Sequence, residues 1–123
     1  MARFVRFIVH QRIRGDARRL GLFSAAYYLR NECELPQYDR ERLEQLLDWF
    51  AAELTVPPKG AIPNKAIFWY KDVGSFSHKM WELVEILRYY GFTPELITAK
   101  SIGRVVYQDS HQCAALPSKR AQR

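Results

Sequence analysis

A short run near the middle of the chain has apolar side chains on both faces of the strand that it would form. Residues 66–70 read Ala-Ile-Phe-Trp-Tyr, and a lysine stands on either side of them. Aromatic and β-branched residues without alternation are typical of a central strand, which needs a neighbouring strand along each edge. The chain therefore has to form a sheet, and the remaining segments must supply the other strands and a layer that covers them.

Further segments on either side of this run are predicted to be strands. Residues 3–10 alternate with period two, so that Val5, Phe7 and Val9 share one face, which we expect to be the core face. Residues 95–99 form a short strand. Residues 104–108 and 111–116 flank the turn Asp109-Ser110 and predict a C-terminal hairpin. The arginine-rich residues 11–19 are interpreted as a solvated loop.

Three helices fill the gaps between these strands. The first is predicted over residues 20–30, and the second begins at Pro36, which suits a first helical turn. The apolar stripe of the second helix consists of Leu43, Leu46, Leu47, Phe50 and Leu54. The proline-rich residues 55–65 form a rigid connection. Ser75 or Ser77 is expected to cap the third helix, and Gly91 to end it.

The resulting order, β-α-α-β-α-β-β, predicts an α+β fold. Its simplest form is a two-layer sandwich with the helices on one face of a mixed sheet, and with the other face partly open. A chain of 123 residues has room for one such domain, assigned to residues 1–117, followed by a basic tail at residues 118–123.

Composition and cysteine usage narrow the compartment. No apolar run approaches the ~20 residues of a membrane helix. Arginines interrupt the apolar residues at the N-terminus, which argues against a secretory signal. Cys33 and Cys113 lie in differently patterned segments, so two reduced thiols are favoured over a disulfide. We therefore expect a cytoplasmic protein without a membrane partner.

The net charge of +6 is unevenly distributed along the chain. Residues 1–30 carry a net +6, residues 31–54 carry −5, and residues 55–123 carry +5. Charged clusters of this kind are often only solvated faces. Because arginine dominates the first segment, and guanidinium groups pair bidentately with phosphate and carboxylate, a surface for an anionic partner is the sharper interpretation.

The partly open face of the sheet is the candidate for that surface. The central strand adds either Phe68 and Tyr70 or Ile67, Trp69 and Lys71 to this face, and the hairpin adds Tyr107 or Arg104 with Gln108. Aromatic rings between cations on a sheet suit either a protein interface or the stacking of nucleic-acid bases, and we favour protein contact. No RNA-binding sequence motif is present. The predicted partner-binding residues are Phe4, Arg6, His10, Arg12, Arg14, Arg18, Arg19, Trp69, Lys71 and Arg104.

Catalytic chemistry is hard to assemble from these residues. His78 lies near Asp72 and could form an acid–base pair with it, although a histidine at a helix start is more often a surface residue. His111 and Cys113 would share a strand face, but no second pair has the spacing of a zinc site. We predict no catalytic residue, no metal and no cofactor.

Several segments together carry a resemblance. They are Leu47-Asp48-Trp49-Phe50, the run from Lys65 to Lys71, then His78, Met80, Glu85-Ile86-Leu87 and Gly91, and Gly103 to Asp109 with Gln112 and Pro117. With these the chain resembles a group of short uncharacterised bacterial proteins, although Tyr107-Gln108-Asp109 replaces an acidic Tyr-Glu-Asp turn. The resemblance implies a compact single domain, and members of such groups can be carried by phages or mobile elements.

These observations lead to a ranked expectation about function. The first hypothesis is a non-enzymatic interaction protein that docks a basic, aromatic surface on a protein or ribonucleoprotein partner, as an inhibitor of a host defence complex such as a CRISPR effector would. The alternatives are a direct nucleic-acid-binding regulator and a small enzyme that uses His78 with Asp72. A homodimer is an open alternative for the assembly.

Overall fold

The computed structural model describes residues 4–13 and 16–117, and the side chains of residues 12–18 lie outside this description. The predicted tail, residues 118–123, lies outside the described residues as well. The elements in chain order are β1 (Phe4–Ile13), β2 (Asp16–Gly21), α1 (Leu22–Glu32), α2 (Gln37–Glu53), β3 (Ile67–Lys71), α3 (Gly74–Tyr89), β4 (Thr93–Ala99), β5 (Arg104–Gln108) and β6 (Gln112–Leu116).

This order confirms the α+β class and corrects one segment. The segment 11–19 is predicted as a solvated loop, but its residues 11–13 end β1 and its residues 16–19 form most of β2. The two strands pair antiparallel from Ile8 opposite Gly21 to Ile13 opposite Asp16. The arginines of this segment hide the strand period, because the side chains of an edge strand need not be apolar.

All strand pairs in the described part of the chain are antiparallel. β4 pairs with β1 along one edge, from Phe4 opposite Ala99 to His10 opposite Thr93. β3 lies on the other edge of β1 and pairs in turn with β6, and β6 pairs with β5. The predicted position of residues 66–70 in a central strand is thus confirmed.

The expected mixed sheet is corrected by the position of β4. β3 and β4 are both antiparallel to β1, so they run parallel to each other, as a strand–helix–strand connection through α3 favours. However, the connection passes over β1 and places β4 on its far edge. The two parallel strands are therefore neighbours of β1 rather than of each other, and no parallel ladder forms between them.

The helices cover one face of the sheet, hereafter the helix face. Val5, Phe7 and Val9 point into this core, as their alternation predicts. The α2 stripe meets them with Leu43, Leu46, Leu47 and Phe50 buried, while Leu54 is partly buried. Because each fully buried aliphatic or aromatic side chain contributes roughly 1.5–3 kcal/mol, this layer supplies most of the stabilising free energy.

The ends of α3 test two sequence predictions. Gly91 takes a φ of +89°, and the N–H groups of Gly91 and Phe92 donate to the carbonyls of Arg88 and Leu87, which is the Schellman pattern. The prediction for Gly91 is confirmed. The predicted serine cap is wrong: the helix begins at Gly74 without a side-chain cap, and the Ser77 hydroxyl donates to Asp72 instead.

The face opposite the helices, hereafter the second face, carries a much smaller cluster. Ile102, Cys113 and Ala115 are buried there, with Phe4, Trp69 and Ala99 packed against them. Ile102 belongs to the connection between β4 and β5, which folds back over the sheet. The second face is therefore partly covered by the protein's own chain.

Two further features concern the cysteines and the helices. Cys33 and Cys113 are both free, in agreement with the predicted thiols. No helix in the described ranges combines the length and the apolar character needed to cross a bilayer.

Candidate interaction surface

The strand register arranges the second face in rows, because residues directly opposite each other in a ladder point to the same side. Val105, Ala115 and Ile67 form one row across β5, β6 and β3. Gln108, Cys113 and Trp69 form the next row. Cys113 and Ala115 are buried in a cluster with Ile102, so the accessible part of these rows consists of the exposed Val105 and Gln108 and the half-buried Ile67 and Trp69.

Two more rows continue on β1. Phe4 lies between Lys71 of β3 and Ala99 of β4, and Arg6 lies beside Ile97 of β4. The second face thus presents aromatic and aliphatic side chains with cations among them, as the sequence predicted for Phe4, Arg6, Trp69 and Lys71. Val105 is the most exposed large apolar side chain of this face, at 46%.

Arg6 and Trp69 form the centre of this surface. The Arg6 guanidinium lies over the Trp69 ring, 5.4 Å from its centroid. Continuing the register of Phe4 opposite Lys71 by two residues brings Arg6 opposite Trp69, which explains the contact. Partial burial, and then the like charge of Arg19, lower the pKa of Arg6. The pair holds a guanidinium group against an aromatic ring on the second face.

The remaining basic side chains of the second face differ in whether they already have a hydrogen-bond partner. The His10 imidazole lies 3.0 Å from the Glu95 carboxylate, so this side chain already has an anionic partner. The Lys71 ammonium donates to the Asp109 carbonyl at 2.8 Å, which holds it toward the β5–β6 turn. Arg19 is exposed and faces His10 across the hairpin. Among the guanidinium groups of this face whose side chains the structure describes, Arg6 and Arg19 have no acidic partner at ion-pair distance.

Four predicted residues are not assigned to this surface. Arg104 lies opposite Leu116, and because Ala115 belongs to the second face, this pair lies on the other side of the sheet. Its predicted place on the open face is therefore wrong, since β5 presents Val105 there instead. Arg14 lies outside the described residues. Arg12 and Arg18 lie in β1 and β2, but their side chains are outside the described part.

The structure adds a cleft that the sequence does not predict. β3 pairs with β1 at Phe4 and Val5, and β2 pairs with the same edge from Ile8 onward. At the intervening residues, Arg6 and Phe7, the described strands leave this edge unpaired, and a cleft of about 470 Å³ opens there. This gap arises because β2 and β3 share one edge of β1. It could be predicted only from a sequence analysis that recognised β2 as a strand.

The β5–β6 turn is held by Asp109. Its carboxylate accepts hydrogen bonds from the Tyr107 hydroxyl, from the N–H groups of His111 and Gln112, and from the Gln112 side chain. Burial alone would raise the pKa of Asp109, but the hydrogen bonds from Gln112, His111 and Tyr107 together lower it. The Gln112 amide also donates to the Thr55 carbonyl, which ties the hairpin to the proline-rich connection.

The residues considered for catalysis are found with other neighbours. The His78 imidazole is exposed and lies 3.6 Å from Glu82, one helical turn away. Asp72 accepts the hydrogen bond from Ser77 described above. The structure thus gives each member of the predicted pair a contact of its own, and this arrangement does not favour a His78–Asp72 acid–base pair.

His111 and Cys113 do not share a face, contrary to their spacing. His111 precedes β6 and stacks on Phe76 of α3 with 4.7 Å between ring centroids, and it lies 3.6 Å from Glu53. Cys113 is buried on the second face, and burial raises the pKa of its thiol. Among the described residues no three histidine, cysteine or acidic side chains are grouped as a metal site.

Comparisons of the chain with protein-family models, with curated proteins and with solved structures gave no match. The resemblance to short bacterial proteins stays a prediction.

Proposed function

We propose that this chain is a non-enzymatic, cytoplasmic interaction protein that docks its second face onto a protein partner. The observation that carries the proposal is the Arg6 guanidinium over the half-buried Trp69 ring, on the same face as the exposed Val105. Aromatic anchors beside arginine are the residues that supply most of the binding free energy in protein interfaces.

The charges of this surface indicate the chemistry of the partner. Arg6 and Arg19 carry positive charge without an acidic neighbour at ion-pair distance in the described part of the chain. A partner with a carboxylate-rich rim around an apolar patch would complement both features, and it would gain association rate from the charges. The protein component of a ribonucleoprotein meets the same description.

The biological setting that we propose is inhibition by occlusion. The protein covers a functional groove of its partner, as a phage- or mobile-element-encoded inhibitor of a host defence complex would, for example an anti-CRISPR protein. Small size and the lack of an evident catalytic arrangement in the described residues fit a protein that acts by covering a surface.

Two matched glutamate variants test the docking surface. Val105→Glu places a charge on the second face, at a side chain that is 46% exposed, whereas Val56→Glu places it at a side chain that is 86% exposed elsewhere on the molecule. We expect affinity capture from a lysate of the native host to recover a protein partner with the wild type and with Val56→Glu, and to lose it with Val105→Glu. Equal capture by both variants would contradict the proposal.

Direct binding of single-stranded nucleic acid is the second candidate. It is favoured by the Arg6–Trp69 pair, because stacked rings and guanidinium groups also bind bases and phosphates. In that case an unrelated oligonucleotide should bind, with an affinity that falls steeply with salt at a slope of ~0.7 per phosphate contact. Replacing Arg6, Arg12 and Arg14 together should reduce the affinity. A flat salt response would exclude this candidate.

A further inference from the structure

The cleft at the shared edge of β1 has the size of a ligand site. Its volume of about 470 Å³ lies within the roughly 300–1,000 Å³ of small-molecule pockets. One wall is the end of β2 with the first turn of α1, and the other is the start of β3, where Ile67 and Phe68 lie. The floor is β1 at Arg6 and Ile8. Three strands and a helix thus form this cavity, which gives it a defined shape.

The charge of the cleft is positive. Arg6 and Arg19 both line it, and the lining residues whose side chains the structure describes include no aspartate or glutamate. Glu95, an acid on the same face, lies 3.0 Å from His10. Arg19 is close enough to Arg6 for its charge to contribute to the lowered pKa of Arg6. The two guanidinium groups repel each other, and an anion between them would relieve this repulsion. The cleft therefore favours a ligand with two negative charges over one with a single charge.

The other walls of the cleft are polar at one end and aromatic along the side. Ser24 lines the cleft in the first turn of α1, and this helix has no side-chain cap for its first N–H groups. Phe23 and Tyr70 line the side, with their ring centroids 5.5 Å apart in an edge-on arrangement. A flat ring could stack there while its anionic group meets the arginines.

We propose that this cleft binds a phosphate monoester with an aromatic body, the class to which nucleoside monophosphates belong. A phosphate monoester carries about −1.5 to −2 charges at neutral pH and so matches two guanidinium groups, whereas a carboxylate carries one charge. The site needs no protein partner. It shares Arg6 with the docking surface but lies at the opposite end of the sheet from Val105, so the two proposals can fail separately.

Titration calorimetry at low salt with adenosine monophosphate tests the site. We expect binding with a Kd below about 1 mM. Adenosine and inorganic phosphate should each bind at least about tenfold more weakly, because each lacks one half of the recognised group. Arg19→Gln should weaken binding about tenfold through the loss of a charge-assisted hydrogen bond. Arg104→Gln, the same change on the other side of the sheet, should stay within about twofold of the wild type, and so should Val105→Glu.

Amide chemical shifts provide a second readout that does not depend on any variant. Titration of the wild type with adenosine monophosphate should shift the amides of Gly21, Ser24 and Ile67, which line the cleft. Three results would overturn the proposal: no heat with this nucleotide, equal weakening by Arg19→Gln and Arg104→Gln, or inorganic phosphate binding as tightly as the nucleotide, which would mark a general anion site. Shifts confined to residues away from the cleft would do so as well.

Discussion

Removal of the Asp109 side chain should lower the free energy of unfolding by the contribution of the hydrogen bonds that its carboxylate accepts. Three N–H donors lose their acceptor in Asp109→Ala: the backbone groups of His111 and Gln112, at 3.0 and 3.1 Å, and the Gln112 amide, at 3.0 Å. At about 1 kcal/mol for each net hydrogen bond, the loss is about 3 kcal/mol. The Tyr107 hydroxyl can turn to water, and the Gln112 amide keeps its bond to Thr55, so the loss should not be larger.

Equilibrium unfolding in urea at neutral pH measures this loss directly. Asp109→Asn is the matched variant, because it keeps one oxygen for the two backbone N–H groups but loses the charge, and it should lose about half as much stability. The slope of the free energy of unfolding against urea should not change. If Asp109→Ala loses less than about 1 kcal/mol, the turn is held by its backbone alone, and the role assigned to the carboxylate is wrong.

The same variant predicts a pH dependence. The folded-state pKa of Asp109 is lowered, so its contribution is fully present above the unfolded pKa of about 3.9 and disappears as the pH falls through the lower, folded value. The stability difference between wild type and Asp109→Ala should therefore be constant from pH 7 to about 5, and it should shrink below about pH 4. A difference that grows in acid would contradict the assignment.

Two further predictions concern single positions. Gly103→Ala should destabilise the protein by more than about 2 kcal/mol in urea unfolding, because φ is +97° and a Cβ would clash with the Leu116 carbonyl oxygen. Gly60→Ala, with φ +81° in open space, should cost about 1 kcal/mol, and equal effects of the two variants would refute the clash. In the native protein a thiol reagent should label the half-buried Cys33 before the buried Cys113. In denaturant it should label both cysteines equally. Faster labelling of Cys113 in the native protein would show that the second face is open.

The sequence predicts well those elements whose side chains are chosen by burial. The α2 stripe and the alternation of Val5, Phe7 and Val9 are both found facing the core, because a 3.6-residue and a two-residue period each leave a clear apolar pattern. The β5–β6 hairpin is found as predicted as well. The prediction that Gly91 ends α3 is correct for another reason, since a helix C-terminus with positive φ strongly favours glycine.

Features that depend on strand neighbours could not be predicted. β2 is an edge strand with arginines at positions 18 and 19, and its pairing with β1 leaves no apolar alternation to detect. The cleft depends on β2 and β3 sharing one edge of β1, so missing one strand hides the site. The prediction that Arg104 lies on the open face is wrong for a related reason. The register between β5 and β6, including the irregularity between Val105 and Tyr107, determines on which face of the sheet Arg104 lies.

Photo-crosslinking from the second face tests the central proposal most directly. A photoreactive phenylalanine analogue placed at Val105, and in a separate variant at Val56, reports which side of the molecule touches a partner in the native host cell. The proposal predicts a discrete crosslinked protein from position 105, resistant to nuclease, and none from position 56. Crosslinks from position 56 alone, or from position 105 only to nucleic acid, would contradict docking of this face on a protein.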